Sequence, residues 1–126
     1  MSDKKRVLII EDDVTMNNLL KKVVEKEGYE CVSAYNGLEA VNMAKTEKAD
    51  LILLDLILPM GRGEVVYAQL KQLFATKDTP ILIITAEDLD YLVEFVASRN
   101  IPEENVFTKP VNFEQLIARI KQLMPE

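Results

Sequence analysis

The chain has 126 residues, of which 48% are hydrophobic and 29% charged, and its formal net charge is −6. This length predicts one domain, 1–126, that can bury a core without disulfide or metal cross-links. The chain contains no histidine and one cysteine, Cys31, which excludes a Ser-His-Asp triad, a histidine-bound metal and an internal disulfide. The acidic balance disfavours direct binding to nucleic acid. No apolar run is long enough for a signal peptide or a membrane span, so we expect a cytoplasmic protein.

Apolar periodicity predicts alternating strands and helices along the whole chain. In chain order, the patterns indicate a strand at 7–10, a helix from Met16 to Gly28, a strand at 29–34, a helix after Asn36, a strand at 51–54, a helix from Val65, a strand at 81–84, a helix from Leu89, a strand at 105–108 and a helix capped by Asn112. The strongest strands are continuous apolar runs, typical of strands covered on both faces. The alternation predicts an α/β fold, a doubly wound parallel sheet of five strands with five helices on its two faces.

Polar side chains follow four of the predicted strands, at the edge where doubly wound sheets bind their ligands. They are Glu11, Asp12 and Asp13 after the first strand, Asp55 after the third, Thr85 after the fourth and Lys109 after the fifth. Taken singly, each has an ordinary structural explanation, and Asp13 is equally well explained as the cap of the following helix. Taken together, they place carboxylates, a hydroxyl and a lysine over one edge of the sheet.

This combination of groups indicates a particular chemistry. Crowded carboxylates repel one another unless a cation lies between them. The ligands on offer are oxygens, which favours a hard ion such as Mg²⁺, and Lys109 adds a second positive charge. A carboxylate nucleophile, a metal ion, a lysine and a hydroxyl are the groups that phosphoryl transfer requires. The residues therefore predict a phosphorylation site, with Asp55 as the acceptor.

Four segments of the chain carry a resemblance to a known family. They are Val7–Asp13, Leu53–Pro59 with Gly63, Ile84–Ala86 and Lys109–Pro110. In this order, they make the chain similar to the receiver domain of two-component response regulators over essentially its full length. The resemblance implies a flavodoxin-like sheet with the strand order 2-1-3-4-5.

The resemblance also implies a role for each residue around the metal. Asp55 resembles the phosphoacceptor aspartate, and Glu11 and Asp12 match the acidic pair that serves Mg²⁺. By this resemblance, Asp12 contacts the ion directly, Glu11 acts mainly through a metal-bound water, and the backbone carbonyl of Ile57 is a further ligand. Asp13 then falls outside the pair, which favours its interpretation as a helix cap.

Thr85 resembles the switch hydroxyl of the family, and Lys109 resembles the lysine that pairs with a phosphoryl oxygen, with a cis bond to the following proline allowed. The chain departs from the family at Val106, where an aromatic residue is usual. Phe107 comes one position later and should point to the opposite face of the strand. A second departure is the polar segment 98–105, which is longer than the usual turn. Both departures concern signal output rather than phosphorylation.

The implied function is that of a stand-alone receiver in two-component signal transduction. A histidine kinase or a histidine phosphotransfer protein would supply the phosphoryl group, since the chain has no histidine. Phosphorylation would then switch a surface that binds a downstream protein. Such a domain catalyses its own phosphorylation and slow dephosphorylation and is not an enzyme acting on an external substrate. Whether phosphorylation drives homodimer formation stays open.

Alternative interpretations come from the same family and from other classes. Within the family, one alternative is a receiver cut from a longer response regulator or hybrid kinase. Another is a receiver fold that docks partners without phosphorylation. A phosphatase of the haloacid dehalogenase type also has a nucleophilic aspartate after a strand, but it usually has a second acid where this chain has Ile57. A flavodoxin-like flavin protein is disfavoured because the loop at 11–15 is anionic and repels a flavin phosphate.

Overall fold

The computed structural model describes residues 4–60 and 62–125. The elements are β1 (Arg6–Ile10), α1 (Val14–Glu25), β2 (Glu30–Ala34), α2 (Gly37–Thr46), β3 (Leu51–Leu54), α3 (Gly63–Gln72), β4 (Ile81–Thr85), α4 (Leu89–Arg99), a 3₁₀ turn (Glu103–Asn105), β5 (Val106–Thr108) and α5 (Phe113–Leu123). The strands pair in parallel in the order β2-β1-β3-β4-β5, so the predicted fold and strand order are confirmed. Within the described residues, no helix is long and apolar enough to cross a membrane.

The sheet separates two hydrophobic cores, because successive side chains of a strand point to opposite faces. In β1, Leu8 and Ile10 face one core, and Val7 and Ile9 face the other. The first core is closed by α2, α3 and α4, and the second by α1 and α5. Every residue of β3 and β4 is buried, which explains why these strands are continuous apolar runs rather than alternating ones.

Side-chain caps start three of the helices, and the cap predicted at Asn112 is among them. The Asp13 carboxylate accepts hydrogen bonds from the backbone amides of Thr15 and Met16. The side-chain oxygens of Asn36 and Asn112 likewise accept from an amide in the first turn of α2 and of α5. Asp13 is therefore a helix cap, and α1 begins two residues earlier than its apolar pattern predicts.

The segment before β5 differs from the prediction of a single polar loop at 98–105. Helix α4 continues to Arg99 and ends at Asn100, whose φ of 54° is left-handed. Ile101 is buried, and Asn105 lies in the 3₁₀ turn rather than in the strand. Periodicity missed these boundaries because the helix ends at one residue of unusual φ and a lone apolar residue anchors an otherwise polar connection.

Candidate functional site

The carboxyl ends of β1 and β3 bring three carboxylates together. The two strands are neighbours, with Ile10 paired to Leu54. Glu11 and Asp55 therefore follow at adjacent positions, and the Asp55 amide donates to the Ile10 carbonyl over 3.0 Å. Carboxylate oxygens of Glu11, Asp12 and Asp55 all lie within 4.8 Å of one another. Glu11 and Asp55 are buried and Asp12 is exposed, so the three oxygens surround a point that solvent reaches from one side.

Lys109 is the cation of this cluster. Its backbone amide donates to the Thr85 carbonyl over 3.0 Å, which holds it beside the end of β4, and its peptide bond to Pro110 is cis. Its Nζ donates to Glu11 Oε1 at 2.6 Å and to Asp55 Oδ2 at 2.8 Å. One ammonium for three carboxylates leaves an excess of negative charge, and the donors are oxygens. This donor set fits a hard divalent cation.

Burial and pairing shift the pKa values of the cluster in different directions. Burial raises the pKa of Glu11 to about 6; the hydrogen bonds from Lys109 and the Asp13 amide oppose the shift, and the charge of Asp55 adds to it. Burial is therefore a larger cause of the raised pKa of Glu11 than repulsion from Asp55. Burial lowers the pKa of Lys109, yet its hydrogen bonds to Asp55 and Glu11 outweigh that effect and the net pKa is raised. Lys109 therefore stays charged at neutral pH.

The two oxygens of Asp55 have different partners. Oδ1 accepts a hydrogen bond from the backbone amide of Ile57 at 3.0 Å, and Oδ2 accepts the bond from Lys109. The Ile57 side chain is half exposed, so this loop serves the site through its backbone. Asp55 is thus held from one side by the loop after β3 and from the other by the residue that follows β5.

Thr85 ends β4 at the same edge of the sheet. Its side chain is fully buried, and its hydroxyl oxygen accepts a hydrogen bond from the Glu87 amide at 3.3 Å. It does not cap α4, whose N-cap residue is Asp88. Because β4 is paired with β3, the Thr85 hydroxyl lies one strand away from the strand that ends beside Asp55.

The two residues near the usual aromatic position lie on opposite faces of β5. Val106 packs against the core beneath α4, and Phe107 packs against the core beneath α1 and α5. This is the alternation that the strand period predicts. The face of β5 toward α4 therefore carries a small aliphatic side chain.

Asn17 is a positioning residue that sequence reasoning missed. It is fully buried in α1, and its Nδ2 donates to the Glu11 carbonyl at 2.9 Å. Its Oδ1 accepts a hydrogen bond from the Ser33 hydroxyl at 2.6 Å. These bonds fix the backbone of the acidic pair to α1 and β2. The available signal was a polar residue between Met16 and Leu20, on the face of α1 that packs against the sheet.

Gly63 brings α3 into direct contact with the loop after β3. Its amide donates to the Leu56 carbonyl at 3.1 Å, and a Cβ added to Gly63 would lie 2.2 Å from the Leu56 Cα. Only a residue without a side chain permits this approach. The backbone next to Asp55 therefore depends on glycine at the start of α3.

Comparisons with known proteins agree with this architecture. A sequence model of the response regulator receiver domain matches residues 7–121, and the chain belongs to that family. A curated relative is the alkaline phosphatase synthesis transcriptional regulatory protein PhoP of Bacillus subtilis (strain 168), 34% identical over 120 residues. The alignment covers 95% of this chain and 48% of that protein, so the chain spans about half the length of this relative.

Solved structures with the same fold include two receiver domains. The signal receiver domain of a DNA binding response regulator from Colwellia psychrerythraea 34H has a TM-score of 0.85 at 29% identity, covering 98% of this chain and 100% of that one. The receiver domain of the sensor histidine kinase PA1611 from Pseudomonas aeruginosa PAO1 has a TM-score of 0.85 at 20% identity, covering 98% and 99%. That second structure has a magnesium ion coordinated in its active site cleft.

Proposed function

We propose that this receiver accepts a phosphoryl group on Asp55 from the phosphohistidine of a histidine kinase or of a histidine phosphotransfer protein. The observation that carries the proposal is the Lys109 ammonium, 2.8 Å from Asp55 and 2.6 Å from Glu11, within a cluster of three converging carboxylates. A lysine held by two buried carboxylates is a charge already in place for the oxygens of an incoming phosphoryl group.

Glu11, Asp12, Asp55 and the backbone carbonyl of Ile57 are the groups that would hold Mg²⁺. The excess negative charge and the all-oxygen donor set support this assignment, as does the magnesium ion in the related receiver domain. When bound, the ion supplies charge neutralisation for the phosphoryl oxygens. Within the acidic pair, the exposure of Asp12 supports a direct contact, with Glu11 acting mainly through water.

In the transfer step, an oxygen of Asp55 forms a bond to phosphorus while the bond from phosphorus to the donor's histidine nitrogen breaks. The nitrogen leaves with the electron pair of the broken bond, and Asp55 becomes an acyl phosphate. Lys109 neutralises charge on the transferred group. Thr85 supplies a hydroxyl that hydrogen-bonds a phosphoryl oxygen once the group is in place.

The output of the switch is a change in a protein-binding surface. The hydroxyl of Thr85 and the side chain of Lys109 would move toward the phosphoryl group, and the loop from Thr85 into α4 would follow. Leu89 and Val93 of α4 are 68% and 61% exposed, so this helix offers apolar surface to a downstream protein or to a second copy of the chain. The reactions are self-phosphorylation and slow self-dephosphorylation, without turnover of an external substrate.

The test is the intact mass of the protein after incubation with acetyl phosphate and Mg²⁺. The wild-type chain should gain one phosphoryl group and Asp55→Asn should gain none. Asp78→Asn is the matched control, since Asp78 is exposed and lies in the connection from α3 to β4, away from the site. Equal labelling of Asp55→Asn and the wild type would contradict Asp55 as the acceptor.

The alternative of a receiver fold that docks partners without phosphorylation makes a different prediction for the same experiment. In that case, the wild-type mass stays unchanged with acetyl phosphate and with a phosphorylated histidine phosphotransfer protein as donor. Transfer from that donor to the wild type but not to Asp55→Asn would establish the phosphohistidine route.

A further inference from the structure

A cavity of about 470 Å³ opens at the amino end of the sheet. It lies between the C-terminal halves of α3 and α4 and the start of β4, and its polar border is formed by Tyr67, Lys71, Arg99, Asn100 and Asn105. Strand β4 runs from Ile81 at this cavity to Thr85 at the acidic site. That strand length separates the two places by about 13 Å, so the cavity is not part of the site around Asp55.

The charged side chains at the cavity have hydrogen-bond donors to spare. Lys71 Nζ donates to the Thr79 carbonyl at 3.3 Å, which uses one of its three N–H groups. Arg99 donates through Nη1 to the Phe95 carbonyl and the Ser98 hydroxyl. Its Nε and Nη2 groups have no hydrogen-bond partner within the described residues. Both cations can therefore still donate to a ligand.

Neutral side chains at the cavity also offer hydrogen-bond donors. Oδ1 of Asn105 accepts a hydrogen bond from Arg119 Nε at 2.8 Å, which leaves the NH₂ group of Asn105 for a ligand, and Tyr67 adds a hydroxyl. Among the described residues that line the cavity there is no aspartate or glutamate. Glu103 and Glu104 line a different groove, between β5 and α5. The wall of the cavity is rich in donors and has no carboxylate to compete with an anion.

Aromatic packing holds the two cations in one cluster. The Tyr67 and Phe95 rings meet edge to face with their centroids 5.5 Å apart. The Arg99 guanidinium lies over the Phe95 ring at 4.1 Å, and Lys71 Nζ lies 5.9 Å from the centroid of the Tyr67 ring. Helices α3 and α4 thus each present one cation on adjoining rings.

The charge of Lys71 is not balanced by a close partner. Burial lowers the pKa of Lys71, and the charge of Asp78 only partly opposes this, because Asp78 is exposed and pairs with Lys77 at 3.4 Å. In the part of the chain that the structure describes, neither Lys71 nor Arg99 forms an ion pair with a carboxylate. An anion in the cavity would offset the cost of burying this ammonium.

We propose that this cavity binds a small organic phosphate, with its phosphate group between Lys71 and Arg99. A guanidinium fork and an ammonium suit a dianion with several acceptor oxygens, and Tyr67 and Asn105 add donors to it. The remaining wall is apolar and suits the carbon part of such a ligand; it consists of Pro80, Ile81, Ile101 and Pro102. The volume lies within the range of small-molecule sites. Binding here is independent of phosphorylation on Asp55.

The test is an NMR titration of the ¹⁵N-labelled protein with glycerol 3-phosphate, and separately with inorganic phosphate, in a chelator-treated buffer without Mg²⁺. Sodium chloride at equal ionic strength is the salt control. We expect saturable shifts of the backbone amides of Lys71, Ile81, Arg99 and Asn100. Lys71→Gln and Arg99→Gln should each raise the dissociation constant about tenfold, the loss expected for one charge-assisted contact. Lys77→Gln is the matched control and should leave the dissociation constant unchanged.

Several outcomes would overturn the proposal. These are the absence of saturable shifts with glycerol 3-phosphate, shifts confined to Thr85 and Lys109, and equal affinities in the two Gln variants and the wild type. The last result would mean that Lys71 and Arg99 serve only the C-terminal ends of their helices. Circular dichroism and a urea midpoint are recorded for each variant, and the two single variants keep the test decisive if either one is unstable.

Discussion

Two partly buried lysines at opposite ends of the sheet show how a partner decides what burial does to a charge. Burial lowers the pKa of both. At the carboxyl end, hydrogen bonds to Asp55 and Glu11 outweigh that effect, so the pKa of Lys109 is raised. At the amino end, Lys71 donates to one backbone carbonyl at 3.3 Å, and its pKa is lowered.

The opposite pKa shifts of Lys109 and Lys71 distinguish two kinds of site. Lys109 is already paired with the two buried carboxylates of its cluster, Glu11 and Asp55, and a reaction there proceeds by exchanging these partners. Among the described residues no carboxylate forms an ion pair with Lys71, which favours the arrival of an anion from outside. Burial by itself does not separate these cases, whereas the count of carboxylates within hydrogen-bond distance does. Substitutions of the two lysines should therefore change the free energy of unfolding by different amounts.

The largest effect is expected for Lys109→Met. It leaves Glu11 and Asp55, whose side chains are 2% and 5% exposed, without their cation, and breaking a buried pair costs about 3 kcal/mol. We expect a fall of that size in the free energy of unfolding, measured by urea denaturation at pH 7.5 without Mg²⁺. The deficit should narrow as the pH falls from 7.5 toward about 6, the pKa of Glu11 with Lys109 in place. Without the hydrogen bond from Lys109 the pKa of Glu11 lies higher, so protonation removes one of the uncompensated charges within this interval. Wild-type stability at pH 7.5 would show that the carboxylates do not depend on Lys109.

A second comparison uses one substitution at each end of the sheet. Gly63→Ala places a Cβ 2.2 Å from the Leu56 Cα, so the backbone beside Asp55 must shift, at a cost of about 2 kcal/mol. Gly28→Ala meets no atom within 4 Å, but it occupies a φ of 95°, which costs about 1 kcal/mol. Both variants are checked by urea denaturation and by the rate of labelling with acetyl phosphate.

The labelling rate separates the two glycines more sharply than stability does. Gly63→Ala should slow phosphorylation of Asp55, whereas Gly28→Ala, at the amino end of β2, should leave the rate unchanged. Equal rates in both variants would show that the position of the Leu56 backbone does not matter to the acceptor.

Addition of Mg²⁺ should stabilise the carboxyl end by a smaller amount. A ligand that binds only the folded state adds about 1.4 kcal/mol at ten times its dissociation constant. Asp12→Asn should reduce this gain, because it removes one of three carboxylates from the cluster. Asp13→Asn is the matched control: the residue caps α1, and asparagine caps helices as well as aspartate does. If both variants respond to Mg²⁺ equally, Asp12 is not a ligand.

Much of the carboxyl end could be predicted from the sequence, because its groups follow strands that are recognisable as apolar runs. Parallel strands end at a common edge, so Glu11, Asp55, Thr85 and Lys109 could be placed together without coordinates. The direct pairing of Lys109 with Glu11 could not, since it depends on side-chain geometry from the end of β5 to the end of β1, with β3 and β4 between them. Nor could the role of Asn17, whose partners are Glu11, just after β1, and Ser33 in β2.

The amino end was much harder to predict. Lys71 and Arg99 belong to different helices, and no motif joins them in the sequence. Their proximity depends on how the Tyr67 and Phe95 rings pack and on the end of α4 at Asn100, which periodicity placed too early. Local patterns indicate which elements form, whereas a cavity between two helices depends on how those helices pack against the sheet.

The smallest effect is expected for Lys71→Met, the counterpart of Lys109→Met. The variant loses a 3.3 Å hydrogen bond to Thr79 but also removes the cost of burying an ammonium without a close carboxylate. These opposing effects should keep the free energy of unfolding within about 0.5 kcal/mol of the wild type at pH 7.5.

The direction in which the stability difference between the wild type and Lys71→Met changes with pH tests how burial affects Lys71. The folded-state pKa of Lys71 lies below its usual 10.5, so the folded chain loses this proton more readily than the unfolded chain. The wild type should therefore gain stability relative to Lys71→Met as the pH rises toward 10.5, measured as the difference between their urea midpoints. A difference that falls with pH would mean that a carboxylate stabilises the Lys71 ammonium in the folded protein, and the contrast with Lys109 would then disappear.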